Sequence, residues 1–244
     1  MKINRRILTL LIVTLLVSLP ASSRAQEDSP GTSDTTTSDS DTNAAPTLKD
    51  LMDVNSQVTN TVGMVLVKIS STEWVGMFDV TQDAYQSVMG SNPSAFQGTD
   101  HPVDSVTWND AMAFCKKLTE TEQKANQLPK GFIYTLPKQS EWEKFVDDAS
   151  LDDAVMSLKT QRRSSTASVG SLGANSVGLY DTRGNVMEWC LDSHDPTSYR
   201  VLRGGAWDTY IDINARVEFR EYSAPDKTKN DYGFRVVLEP KGSQ

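Results

Sequence analysis

Two cysteines and two histidines limit the thiol and metal chemistry open to this 244-residue chain. Structural zinc takes four Cys or His ligands at short local spacing. Cys115, Cys190, His101 and His194 do not have that spacing. His194 lies in Asp192-Ser193-His194-Asp195, a weak metal corner or a solvated loop. The cysteines sit in Ala113-Phe114-Cys115 and Glu188-Trp189-Cys190, settings that suit burial more than reactivity. In an oxidising compartment they can pair, or each can be buried separately. No Gly-x-Ser-x-Gly elbow and no Gly-rich phosphate loop is present, which argues against nucleophilic hydrolysis and phosphoryl transfer. Arg203 and Arg235 can bind an anion or satisfy buried carbonyl groups. Trp189, Trp207, Tyr210 and Phe219 offer rings for a core or for a binding cleft. Trp207, Tyr210 and Phe219 are the cleft candidates.

These residues need a frame, and the pattern supplies one. The β-branched run Met64 to Ile69 reads as a strand, and Trp74 to Val80 as a second extended piece. Thr81 caps a helix over Gln82 to Met89 that Gly90 ends. Thr107, with Asp110 three residues on, starts a second helix whose Ala111, Phe114, Cys115 and Leu118 face the core. Phe132 to Leu136 is strand-like, Pro137 opens a third helix near Lys138 to Asp147, and Val236 to Leu238 closes as a strand. Residues 151 to 176 read as loop. The chain is therefore α+β, with helices early, a turn-rich β part late and no internal repeat.

The ends differ in kind. Lys2, Arg5 and Arg6 precede the apolar run Ile7 to Leu19, and Ser23-Arg24-Ala25 offers a cleavage site, so residues 1–25 read as a signal peptide. The run of 13 residues is short of the ~20 that span a bilayer. Residues 26–47 are Ser/Thr-rich and acidic, a disordered linker that has too little apolar surface to offset its ordering entropy. Residues 48–240 form one domain. Export to the periplasm or the cell exterior follows, with no membrane span once the signal is cleaved. Cleavage would remove Lys2, Arg5, Arg6 and Arg24 and take the net charge from −8 to −12. That balance argues against nucleic acid as a partner. A peptide, a protein or a small molecule remains.

Six strings then occur in order: "FDVTQDAYQ", "HPVDSVTWNDAMAFCKKL", "YTLPKQSEWEKF", "VGLYDTRGNVMEWCLD", "RVLRGGAW" and "YGFRVV". Together they resemble the formylglycine-generating enzyme (sulfatase-modifying factor) family from about Met64 to Leu238. The resemblance implies a C-type-lectin-like α+β fold, low in regular structure. It also implies two copper-binding cysteines at the fourth and ninth positions after the Gly-Gly. Here those positions are Thr209 and Asn214, and a two-residue slip would bring Asp212 to the second. Copper(I) is soft and needs thiolate, so copper is not expected. Ala206 replaces the usual serine and Met187 the usual first tryptophan. The iron-binding branch needs three histidines, and this chain has two. A family calcium site maps onto the Asp181 and Glu188 carboxylates and the carbonyls of Gly184 and Val186, oxygen donors suited to a hard ion. A second family calcium site, in the loop at 159–175, finds no acidic residue. The resulting expectation is an exported, non-catalytic binding or scaffold module. The rivals are an oxidase or related oxidoreductase with altered metal ligands, and a lectin-fold display protein.

Overall fold

Helix boundaries follow local side-chain chemistry. In a computed structural model that describes residues 47–146, 149–157, 162–194, 199–210 and 216–242, α1 (Leu48–Val54) and α3 (Trp108–Lys124) each start on a capping box. In α3 the Thr107 hydroxyl accepts from the Asp110 N–H at 3.0 Å, and the Asp110 carboxylate accepts from the Thr107 N–H at 3.0 Å. The helix α2 (Gln82–Met89) starts on Thr81 and stops at Gly90, whose φ of +86° is the left-handed conformation glycine adopts without strain. The last helix, α4, spans Gln139–Val146. The sequence pattern missed α1 altogether. Residues 1–25 and 26–46 lie outside the described residues, as do Asp147, Asp195, Asp212 and Asn214. Among the described residues no helix is long and apolar enough to cross a membrane.

Nine strands form two sheets among the described residues. The first has the order β1-β2-β3-β9-β4, from Gln57–Thr59, Val65–Lys68, Trp74–Gly76, Val237–Pro240 and Phe132–Thr135, all antiparallel. The extended piece expected over Trp74 to Val80 is regular only as far as Gly76. The second sheet has the order β7-β6-β5-β8, from Glu221–Ser223, Arg200–Arg203, Met187–Ser193 and Tyr232–Gly233, with β5 and β8 parallel.

Alternation along the strands separates two apolar clusters. Leu66, Trp74, Trp189, Leu202 and Leu238 enter the larger one, and their neighbours Val67, Val75, Cys190, Val201 and Val237 enter the smaller. A strand buried on both faces reads as an unbroken apolar run, which is how Val65 to Val67 of β2 and Val236 to Leu238, leading into β9, appear in the sequence. The expected face of α3 is buried as read: Ala111, Phe114, Cys115 and Leu118 are all within 1% of full burial. Phe114 stacks on Tyr85 of α2 with ring centroids 5.6 Å apart, and Phe234 meets it edge-on at 5.3 Å. The fold is α+β.

Candidate functional site: the RGG turn and the buried arginines

Two turns are joined to each other at the open end of the second sheet. The first, Asp181 to Glu188, contains two non-glycine residues in the left-handed region, Asp181 at φ +53° and Asn185 at φ +61°. Such conformations cost energy and persist only where surrounding bonds fix them. Asp181 Oδ2 accepts from the Gly170 N–H at 2.6 Å. The buried Asn185 amide exchanges two hydrogen bonds with the Ala167 backbone. The second turn is Arg203 to Tyr210. Gly184 N–H donates to Gly204 O, and Trp207 N–H to Asn185 O, both at 3.0 Å. Gly184 has φ +88°, and a Cβ there would lie 2.7 Å from Val155 O, so only glycine fits. Gly205 has φ +74°, and a Cβ there would lie 2.8 Å from Met156 Cε.

Thr209 closes the RGG turn on itself. Its hydroxyl accepts from the Ala206 N–H at 2.9 Å, and its carbonyl accepts from the Ser157 N–H at 3.1 Å. Neither cysteine is near a thiol partner: Cys115 and Cys190 are unpaired and buried. Burial pushes both thiols up, further from thiolate. The three cleft candidates have separate partners. Trp207 meets Phe96 edge-on at 5.1 Å and donates from Nε1 to Asn230 O. Tyr210 lies under the Arg162 guanidinium, 5.4 Å from the ring centroid. Phe219 packs half-buried on the larger cluster. His101 shares a hydrogen bond with Thr166, and exposed His194 lies 4.1 Å from the Tyr222 ring.

Beneath the turns sits Arg235, fully buried. It donates to Glu188 Oε1 from Nε at 3.1 Å and from Nη2 at 3.0 Å, and to the carbonyls of Gly76 and Tyr180. Asp79 Oδ1 accepts from the same Nη2 at 3.4 Å. Glu188 Oε2 accepts from Trp142 Nε1 at 3.1 Å. Burial alone would lower the Arg235 pKa, but Glu188 and Asp79 more than offset it, so the guanidinium stays charged. Burial and the Glu188 charge push Asp79 well up, and burial also raises Asp181.

Arg203 is equally buried but meets different partners: Val217 O at 2.6 Å and Glu143 Oε1 at 2.8 Å, with its guanidinium 4.8 Å from the Trp142 ring centroid. Both arginines therefore satisfy carbonyl groups, as the sequence suggested. The Glu143 partnership was not legible, because 60 residues separate the pair and no local pattern marks it.

The four calcium candidates share one turn. Three carboxylates, Asp79, Asp181 and Glu188, surround a single guanidinium, and Asp79 Oδ2 is buried without a hydrogen-bond partner. Because burial and Glu188 push Asp79 toward its neutral form, it adds little negative charge beside Arg235. A calcium ion would compete there with the bonds Glu188 already accepts from Arg235 and Trp142. A cavity of about 220 Å3, lined by Asp153, Asn175, Asp181 and Arg183 among others, reaches the turn from one side. Among the described residues, no three His, Cys, Asp or Glu side chains are grouped so that they could hold a metal ion.

A family profile for the sulfatase-modifying factor enzyme 1-like domain matches residues 35–240. The chain belongs to that family. This member is 28% identical to the chaperone protein LppX of Paenibacillus barcinonensis, over 67% of this chain and 79% of the relative. It is 30% identical to the inactive C-alpha-formylglycine-generating enzyme 2 of Mus musculus, over 56% of this chain and 48% of the relative. It thus spans about half the length of the mouse relative. Among solved structures it resembles Treponema denticola variable protein 1, with a TM-score of 0.58 and 27% identity over 77% of this chain and 92% of the other.

Proposed function

We propose that this family member is an exported, non-catalytic domain that acts as a binding or scaffold module for a peptide, protein or small molecule. The observation that carries the reading is Thr209. At the position where the family resemblance calls for a copper thiolate, a hard hydroxyl accepts a hydrogen bond inside its own turn. The words "chaperone" and "inactive" in the relatives' names describe those proteins, and both fit a role without oxidation. Mature protein incubated with copper and a peptide carrying Cys-x-Pro-x-Arg should leave the peptide mass unchanged. A loss of mass consistent with an aldehyde would overturn the reading and favour the oxidase with altered ligands. The display reading draws support from the likeness to a protein named "variable". Sequence differences between copies of this gene, concentrated over Trp207 to Tyr232, would favour it.

Calcium is part of the proposal, held by the Asp181 and Glu188 carboxylates and the carbonyls of Gly184 and Val186. What supports it is the donor set, two carboxylates and two carbonyls within eight residues of chain, all hard oxygens. A chelator titration followed by thermal unfolding should lower Tm, because an ion that binds only the folded state stabilises it. An unmoved Tm would remove calcium from this turn. N-terminal sequencing of the secreted product should begin at Gln26.

A further inference from the structure

Glu143 Oε1 marks a small anion position between two arginines. Arg203 Nη2 donates to it at 2.8 Å and Arg220 Nη2 at 2.7 Å. Two guanidiniums and one carboxylate leave a surplus positive charge on a strongly acidic chain. Burial, with the Arg220 charge adding to it, pulls the Arg203 pKa below its usual range.

The two guanidiniums do not depend on Glu143 for their placement. Arg220 donates from Nε to Gln139 Oε1 at 2.8 Å and from Nη1 to Glu218 O at 2.6 Å. Arg203 is held by Val217 O, by Gln139 Oε1 at 3.4 Å, and by the face of Trp142. Its Nε is buried without a hydrogen-bond partner. Those acceptors are neutral, so the cationic pair is preorganised with one acid across it. Among the described residues Glu143 is the one acid paired with either arginine. The Glu143 side chain is 39% exposed, so it can swing into solvent and leave its place to another carboxylate. A fixed arginine pair that already binds a carboxylate oxygen is the chemistry that recognises a second one.

We propose that Arg203 and Arg220 form a binding site for a carboxylate of an acidic peptide, with Glu143 as the resident side chain that the incoming group displaces. This deepens the binding-module reading, and the two fail separately: aldehyde formation would overturn that reading and leave this site standing.

Isothermal titration of the full chain with a capped hexaglutamate peptide at low salt tests it, with inorganic phosphate as a parallel probe. Removal of the resident acid in Glu143→Gln should tighten hexaglutamate binding about tenfold. Raising salt to ~0.15 M should weaken it. Arg220→Gln in that background should abolish it. Arg220 is partly exposed on the surface, so Arg220→Gln in the otherwise native chain carries the test should Glu143→Gln fail to fold. The proposal is overturned if Glu143→Gln leaves affinity unchanged or lowers it, if Arg220→Gln leaves binding intact, or if phosphate binds and hexaglutamate does not.

Discussion

Arg235 and Arg203 are both fully buried and both belong to short motifs, yet they face different problems. Arg235 is enclosed by Glu188, Asp79 and two carbonyls, all deep in the molecule. Arg203 reaches outward to Glu143, which is partly in solvent and is shared with Arg220. The lesson is that burial of the charge does not fix its role; the exposure of its counter-ion does. An enclosed pair must stay together, because either partner alone would be an uncompensated buried charge. A pair with one partner in water can come apart at little cost, and so can exchange that partner.

The largest test of this contrast is Glu188→Ala. It removes the two shortest charged bonds of Arg235 and leaves Asp79 at 3.4 Å as the remaining acid, so it should cost about 3 kcal/mol, read as a lower midpoint in denaturant unfolding. A loss below ~1 kcal/mol would erase the distinction between the two arginines. Next comes Gly184→Ala, which attacks the brace between the two turns. The φ of +88° and a Cβ 2.7 Å from Val155 O together predict a loss of about 2–3 kcal/mol by the same measurement.

A smaller effect concerns Asp231, half-buried near the RGG turn, with Oδ1 lacking a hydrogen-bond partner. Burial, assisted by the Asp208 charge, pushes its pKa up to about 6. A carboxyl whose folded value lies above its unfolded value favours folding while protonated. Its contribution is present below pH ~4 and is lost as pH rises through about 6. Asp231→Asn should therefore remove a fall in stability across that window. After discounting for solvent screening the gain at pH 7 is about 1 kcal/mol, and a pH series of urea midpoints would show it. The smallest effect belongs to Glu143→Ala, at or below ~1 kcal/mol, because neutral acceptors still hold both arginines. A loss as large as that of Glu188→Ala would make Glu143 structural and blur the comparison.

Legibility in the sequence followed the same division. Thr81, Gly90 and Thr107 placed helix ends correctly because a cap acts within four residues. The apolar face of α3 was readable from its spacing. The short strands β1, β7 and β8 were not, since two or three residues carry no period. The insertion of β9 between β3 and β4 was not readable either, because pairing partners such as Tyr134 and Leu238 lie far apart in the chain. The motif strings located Thr209, Asp181 and Glu188, but not what they touch. Nothing around Glu143 hinted at Arg203 and Arg220, which approach it from 60 and 77 residues away.

The sequence by itself determined the family, the α+β class, the absence of cysteine from the RGG turn and the helix caps, all of which depend on residue identity over short spans. Only the tertiary structure decided that Glu188 is bound by Arg235 and Trp142, that Thr209 closes its own turn, and that one half-exposed acid sits between two fixed guanidiniums. Hydrogen bonds and ion pairs act over a few ångströms, so their partners are set by where the chain folds back, not by how far apart they stand in sequence.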